Sequence, residues 1–198
     1  MQPIEQDIVI LQGATLSTLL QWCSSDPVHK TISAVDTGLP TLITVTGHGL
    51  TQRTPVWITN VRGPRALNTD GYRDCEPRMA TVVDQDTLAI DFDSGSLSAY
   101  QDGGVLTYYP PLDLTGYEAR MQIRASRNAA AVLLELNTDN GGIVITAATG
   151  TIERRIAATD TADLSFLTGV YDLELTRPDG FVVRLAQGAV NVVPEVTR

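Results

Sequence analysis

Lysine is almost missing from these 198 residues: Lys30 stands alone against 13 arginines and 23 acidic residues, and the formal net charge is −9. A chain this acidic, with no cluster of cations, is not built to grip a phosphate backbone, so nucleic acid is not expected among its partners. Histidine is limited to His29 and His48, too few to supply a zinc site without other N or S ligands. Cysteine is limited to Cys23 and Cys75, neither in a C-x-x-C or other ligand spacing, and both read as reduced, structural residues. Whether they pair depends on a distance the sequence does not carry. The longest clean apolar run is Ala129 to Leu134, far short of the roughly 20 residues of a membrane helix, so no membrane span is expected. The opening Met1-Gln-Pro-Ile-Glu-Gln-Asp7 lacks a basic segment followed by an apolar core, and synthesis in a cytoplasm is the expectation. G-x-S-x-G, H-E-x-x-H and P-loop patterns are absent as well, which points away from an enzyme and from a bound cofactor.

What is present repeats at period two. Thr15 to Trp22 and Tyr117 to Arg124 alternate as half-buried strands, with Ala119, Met121 and Ile123 on one face. Over Gly169 to Thr176, Val170, Asp172, Glu174 and Thr176 stand opposite Tyr171, Leu173 and Leu175. Such alternation is the mark of an antiparallel sheet with one wet face. Asn140-Gly141-Gly142, Arg177-Pro178-Asp179-Gly180 and Gln187-Gly188 read as turns. They separate expected strands at Leu133 to Asn137, Ile143 to Thr146, Thr151 to Ile156, Gly169 to Thr176, Phe181 to Gln187 and Ala189 to Val193. One helical turn is expected over Thr159 to Phe166, capped by Asp160 or Thr161.

The stretch 30–108 has a different texture, with strands at Ile32 to Val35, Leu42 to Thr46, Val56 to Ile58, Met79 to Val83, Thr87 to Ile90 and Gly104 to Tyr108 joined by Gly/Asp/Asn-rich connections. It reads as a second compact unit in a loop of the first. The expected fold is therefore all-β: a discontinuous antiparallel β-sandwich, 1–29 with 109–198, carrying a small β-barrel-like module at 30–108.

Several residues invite a chemical reading. His48 lies between glycines in Thr46-Gly-His-Gly-Leu50, a pattern better suited to a strand corner than to a metal ligand or base. Asp84, Asp86, Asp91 and Asp93 offer oxygens for a hard cation or a pair of carboxylates for glycoside hydrolysis, but no twelve-residue calcium loop surrounds them and no spacing singles out an acid and a nucleophile. Solvated strand and turn positions are the simpler account. Trp22, Trp57, Tyr72, Tyr108 and Tyr109 could stack on sugars, and Trp57 and Tyr72 are the candidates for an exposed pair; packing is the commoner fate of such rings.

With 30–108 set aside, the flanks read Asp7-Ile-Val-Ile10, Gly13-Ala-Thr-Leu16, Gln21-Trp22, then Leu112-Asp-Leu-Thr-Gly-Tyr-Glu-Ala-Arg-Met-Gln-Ile-Arg124, Gly169-Val-Tyr-Asp-Leu-Glu-Leu175, Pro178-Asp-Gly180, Gly188 and Val193-Pro-Glu-Val-Thr197. This string resembles small phage tail and prophage proteins akin to the N-terminal domain of baseplate upper proteins. The middle, through Val45-Thr-Gly-His-Gly-Leu50, Val56-Trp-Ile-Thr-Asn-Val61, Leu67-Asn68, Tyr72, Thr87-Leu88 and Tyr100 with Gly103-Gly104, resembles a module of phage tail proteins likened to the first catalytic cysteine half-domain of ubiquitin-activating enzymes. Only a small β module is implied, since the chain lacks a phosphate-binding Gly-rich loop. The resemblance implies a structural component of a virion tail or baseplate, contacting other tail or baseplate proteins and forming homo-oligomers. A carbohydrate-binding module touching the host surface is the alternative. Arg120, Arg124, Asp172, Glu174 and Arg184, on alternate strand faces, are the expected interface residues.

Overall fold

The computed structural model describes residues 2–69 and 76–196; Tyr72 and Cys75 lie outside them. The chain forms two compact units, Met1–Trp22 with Pro111–Arg198, and Cys23–Pro110. The first unit begins with strands β1 (Ile4–Glu5), β2 (Ile8–Leu11) and β3 (Leu16–Gln21). The second holds β4 (Val28–Thr31), β5 (Ala34–Asp36), β6 (Thr41–Thr44), β7 (Thr54–Arg62), β8 (Arg78–Val82), β9 (Thr87–Ile90) and β10 (Asp102–Tyr108). The chain then returns to the first unit with β11 (Glu118–Arg124), β12 (Leu134–Asn137), β13 (Ile143–Thr146), β14 (Thr151–Ile156), the short helix α1 (Ala158–Ala162), β15 (Thr168–Thr176) and β16 (Val182–Val193).

The fold is all-β, and the first unit is a sandwich. Its larger sheet runs β16-β15-β11-β12, with β1 and β2 both on the outer edge of β16, and its smaller sheet runs β13-β14-β3. Alternation dictates the core. Ala119, Met121 and Ile123 of β11 and Tyr171, Leu173 and Leu175 of β15 turn inward to meet Ile143, Ile152 and Ile156 of the smaller sheet. Each fully buried aliphatic side chain in such a core contributes roughly 1.5–3 kcal/mol. The sheet is not purely antiparallel as expected: β1 and β2 run parallel to β16.

The glycine turns divide. Arg177 to Gly180 closes the β15–β16 hairpin, with Gly180 at φ 81° and its N–H donating to the Arg177 carbonyl at 2.8 Å. Gly141 also has positive φ, but its turn carries the chain from β12 in one sheet to β13 in the other. Gln187-Gly188 is no turn at all, because β16 runs straight through it. A Cβ on Gly188 would lie 2.3 Å from the Gln6 carbonyl oxygen, so glycine stands there to admit the β1–β2 backbone. The expected helix shortens to α1, whose N-cap is Ala157 without a side-chain bond. Thr161 instead donates to the carbonyls of Ala14 and Ala158, both at 2.9 Å.

The second unit is a seven-stranded antiparallel sheet in the order β4-β10-β7-β8-β9-β6-β5. Its two edge strands are consecutive in the chain. Ile32 N–H donates to Gly104 at one edge and Ser33 N–H to Thr44 at the other, so a single bent run through Ile32-Ser33 draws the edges together and curls the sheet. The bend falls inside the strand expected over Ile32 to Val35, of which only Ala34 and Val35 belong to β5, and β4 before it is a strand the sequence reading did not expect. Gly103 and Gly104 at φ 75° and 110° and Asn60, opposite Gly104, at φ 62° mark a local break where the β7–β10 ladder skips one pair without changing register. Ile32, Ile43, Ile58, Leu88, Ile90 and Leu106 fill the interior. The sequence-based boundaries at 29/30 and 108/109 move to 22/23 and 110/111, because Val28 and His29 pair with Tyr108 and Thr107.

Candidate functional site

The outer face of the larger sheet brings the five expected interface residues together. Register places Arg120 beside Glu174 and Glu174 beside Arg184; Gln122 stands beside Asp172, and Arg124 beside Val170. Arg120 donates through Nε and Nη2 to Glu135 Oε2 at 3.2 and 2.9 Å, and Gln122 Nε2 donates to the same oxygen. Those donors, Gln122 foremost and then Arg120, hold the Glu135 carboxyl below the usual glutamate value. Arg184 Nη2 lies 3.3 Å from Asp172 and 3.8 Å from Glu174, one guanidinium for two carboxylates. Arg124 has no carboxylate partner among the described residues. Its Nη1 donates to the carbonyls of Ala129 and Ala130 at 2.7 and 2.8 Å, and Nε and Nη2 donate to Gln122 Oε1. These pairs are half-exposed and contribute about 0–1 kcal/mol each to stability. Their weight lies in charge placement rather than in folding.

Between the loop after β11 and the β1 edge this face sinks into a trough of about 470 Å³, floored by Val170, Gly188 and Ala189 and walled by Arg124, Arg127, Asp172, Glu174, Arg184 and Glu5. Ala189, beside Val170 on the outward row, keeps the floor low, since a large side chain at that position would fill it. Arg127 is exposed and makes no ion pair among the described residues.

One residue escaped the sequence reading. Arg154 is fully buried within the first unit, on the inner face of β14 between Ile152 and Ile156. Its Nη1 donates to Tyr171 Oη at 3.3 Å and its Nη2 to Gln6 Oε1 at 3.0 Å, while Nε has no partner. Tyr171 in turn donates to the Gln6 carbonyl at 2.7 Å. A cation thus pins the N-terminal segment to both sheets using neutral acceptors alone. The alternation Ile152-Glu-Arg-Arg-Ile156 was the available signal. Supplying an anion by Gln6→Glu should raise stability at neutral pH by roughly 1–3 kcal/mol, since a charged acceptor strengthens the bond. Arg154 would depress the new carboxyl's folded-state pKa, so the gain is present above the ordinary value near ~4.3 and is lost as pH falls through the folded value. Urea unfolding across pH measures it; an unchanged or lower midpoint at neutral pH would refute it.

The other candidates serve structure. His48 is buried, Leu50 N–H donating to Nδ1 at 3.0 Å and Nε2–H donating to the Asp84 carbonyl at 2.8 Å. Both ring nitrogens are spent, and neither is offered to a ligand. Asp84 and Asp86 build the β8–β9 turn: Asp84 Oδ1 accepts from Asp86 N–H, and Asp86 Oδ1 from Gly47 N–H. Asp91 pairs with Arg53 at 3.4 Å, and Asp93 accepts from Gly95 N–H. Among the described residues no group of three His, Cys, Asp or Glu is placed to hold a metal. Among the described residues the aromatics form no strip. Trp22 packs edge-on against Tyr117 within the first unit, Tyr108 is buried with its hydroxyl on the His48 carbonyl, and Trp57 is half-buried, edge-on to Tyr109 at 5.7 Å. Burial raises the pKa of the Cys23 thiol, which keeps it protonated and unreactive.

Neither a protein-family model nor a curated protein matches the chain.

Proposed function

We propose that the chain is a structural, non-enzymatic component of a bacteriophage tail or baseplate, made in the host cytoplasm and held in the virion by protein–protein contacts. The class comes from the resemblance carried by the two flanks and the middle stretch. The observation that supports a binding role is the gathering of Arg120, Arg124, Asp172, Glu174 and Arg184 on one sheet face, the last four lining a trough. Half-exposed charges at fixed register select a partner by complementarity more than they stabilise the fold. Neighbouring tail or baseplate proteins, further copies of the chain among them, are the partners that this reading requires, with no nucleic acid and no cofactor.

Two binding assays on the purified chain test the proposal: capture of solubilised tail proteins from the phage that encodes it, and a glycan array. Saturable capture of tail proteins with a blank array is expected. Glycan binding without any tail-protein partner would replace this reading with a host-surface carbohydrate module.

A further inference from the structure

The trough is charged asymmetrically, and the asymmetry names an occupant. At one end Arg124 and Arg127 present two guanidinium groups that no carboxylate of the described residues neutralises. At the other, Asp172, Glu174 and Glu5 present three carboxylates against the single cation of Arg184. The ends thus carry formal charges near +2 and −2. Arg124 shares a row with Val170, and Glu174 is four residues along the same strand, a separation of roughly 13 Å at about 3.3 Å per residue. Between the ends the floor combines small Gly188 and Ala189 with the polar side chains of Gln122 and Gln187.

A surface positive at one end and negative at the other is complementary to itself after a half-turn about an axis through its centre. That is the requirement of an isologous twofold contact. Arg127 is also the group best able to cross, lying in the loop that walls the trough, exposed and unpaired. We propose that the trough is a homodimer interface in which Arg127 of each copy enters the acidic end of the other's trough, beside Asp172 and Glu174. This rests on the reading of the outer face as an interaction surface and names its partner as a second copy of the chain. A five-strand face about seven residues long covers on the order of 550 Å², below the roughly 800 Å² per partner of a standard stable interface. The dimer is therefore weak in isolation and is weakened further by salt.

Sedimentation velocity on the full chain, over a concentration series at low and high salt, tests the proposal with Arg127→Glu and Asp172→Arg. Wild type should self-associate, less so in high salt. Each variant alone brings like charges together at both contacts and should weaken association about tenfold or more. Their equimolar mixture places opposite charges at both contacts and should restore it, a rescue that misfolding cannot produce. Arg127 has no bond to lose, so that variant folds, and circular dichroism checks both. A wild type that stays monomeric throughout, variants that associate like wild type, or a mixture that fails to recover association would overturn the dimer. A monomer whose charge-reversed forms are nevertheless excluded from particles would overturn this inference alone and leave the attachment reading intact.

Discussion

Replacing His48 with alanine is expected to lower the stability of the second unit by roughly 2–4 kcal/mol while the first unit's unfolding transition stays in place. The imidazole is buried and joins the Leu50 amide to the Asp84 carbonyl, tying the 46–50 corner to the β8–β9 turn. Alanine leaves the buried Leu50 N–H without an acceptor and opens a void where the ring stood. An unpaired buried donor alone costs about 1–3 kcal/mol. Gly47 and Gly49, at φ 57° and 75°, shape the corner but cannot replace the link. Chemical unfolding followed separately by a probe in each unit, Trp57 for the second and Trp22 for the first, reads the effect. A second-unit midpoint unmoved by the substitution would show that the histidine is not a structural strut and would reopen a ligand role.

Period-two alternation made the sandwich legible, because Met121 and Ile123, like Leu173 and Leu175, could face only one way once their strands were half-buried. It also separated the charged row of Asp172 and Glu174 from the core. Pairing between distant strands was out of reach. The parallel docking of β1 and β2 on β16 involves segments too short to declare their partners, and Gly188 reads as a turn until the Gln6 backbone is seen against it. The Ile32-Ser33 bend was hidden for a related reason, since Ile32 to Val35 looks like a strand unless both edges of its sheet are known. Charge misled once: Arg154 fits the inward row of β14, but an arginine is not assigned to a core on composition. The site was half legible. Alternation put five charges outward, while register decided which of them meet, and only the fold revealed that Arg124 is occupied by the Ala129 and Ala130 carbonyls and that Arg127 stands unpaired.

That occupation decides how the attachment claim is best tested. Reversing Arg124 would unfasten the loop after β11, confusing folding with binding, whereas Arg120 loses only a half-exposed pair with Glu135 and Arg127 loses nothing. The most direct measurement is the amount of chain incorporated into purified phage particles for wild type, for Arg120→Glu with Arg127→Glu, and for a form in which Cys23–Pro110 is replaced by a short glycine-containing link. The link is short because Leu112 N–H already bonds the Trp22 carbonyl at 2.9 Å, and closing so small a loop carries little entropic cost. All three proteins should unfold cooperatively. The charge-reversed protein should be lost from particles and the shortened one retained, since the first unit carries the binding face. Normal uptake of the charge-reversed protein together with rejection of the shortened one would contradict the account and make the second unit the anchor.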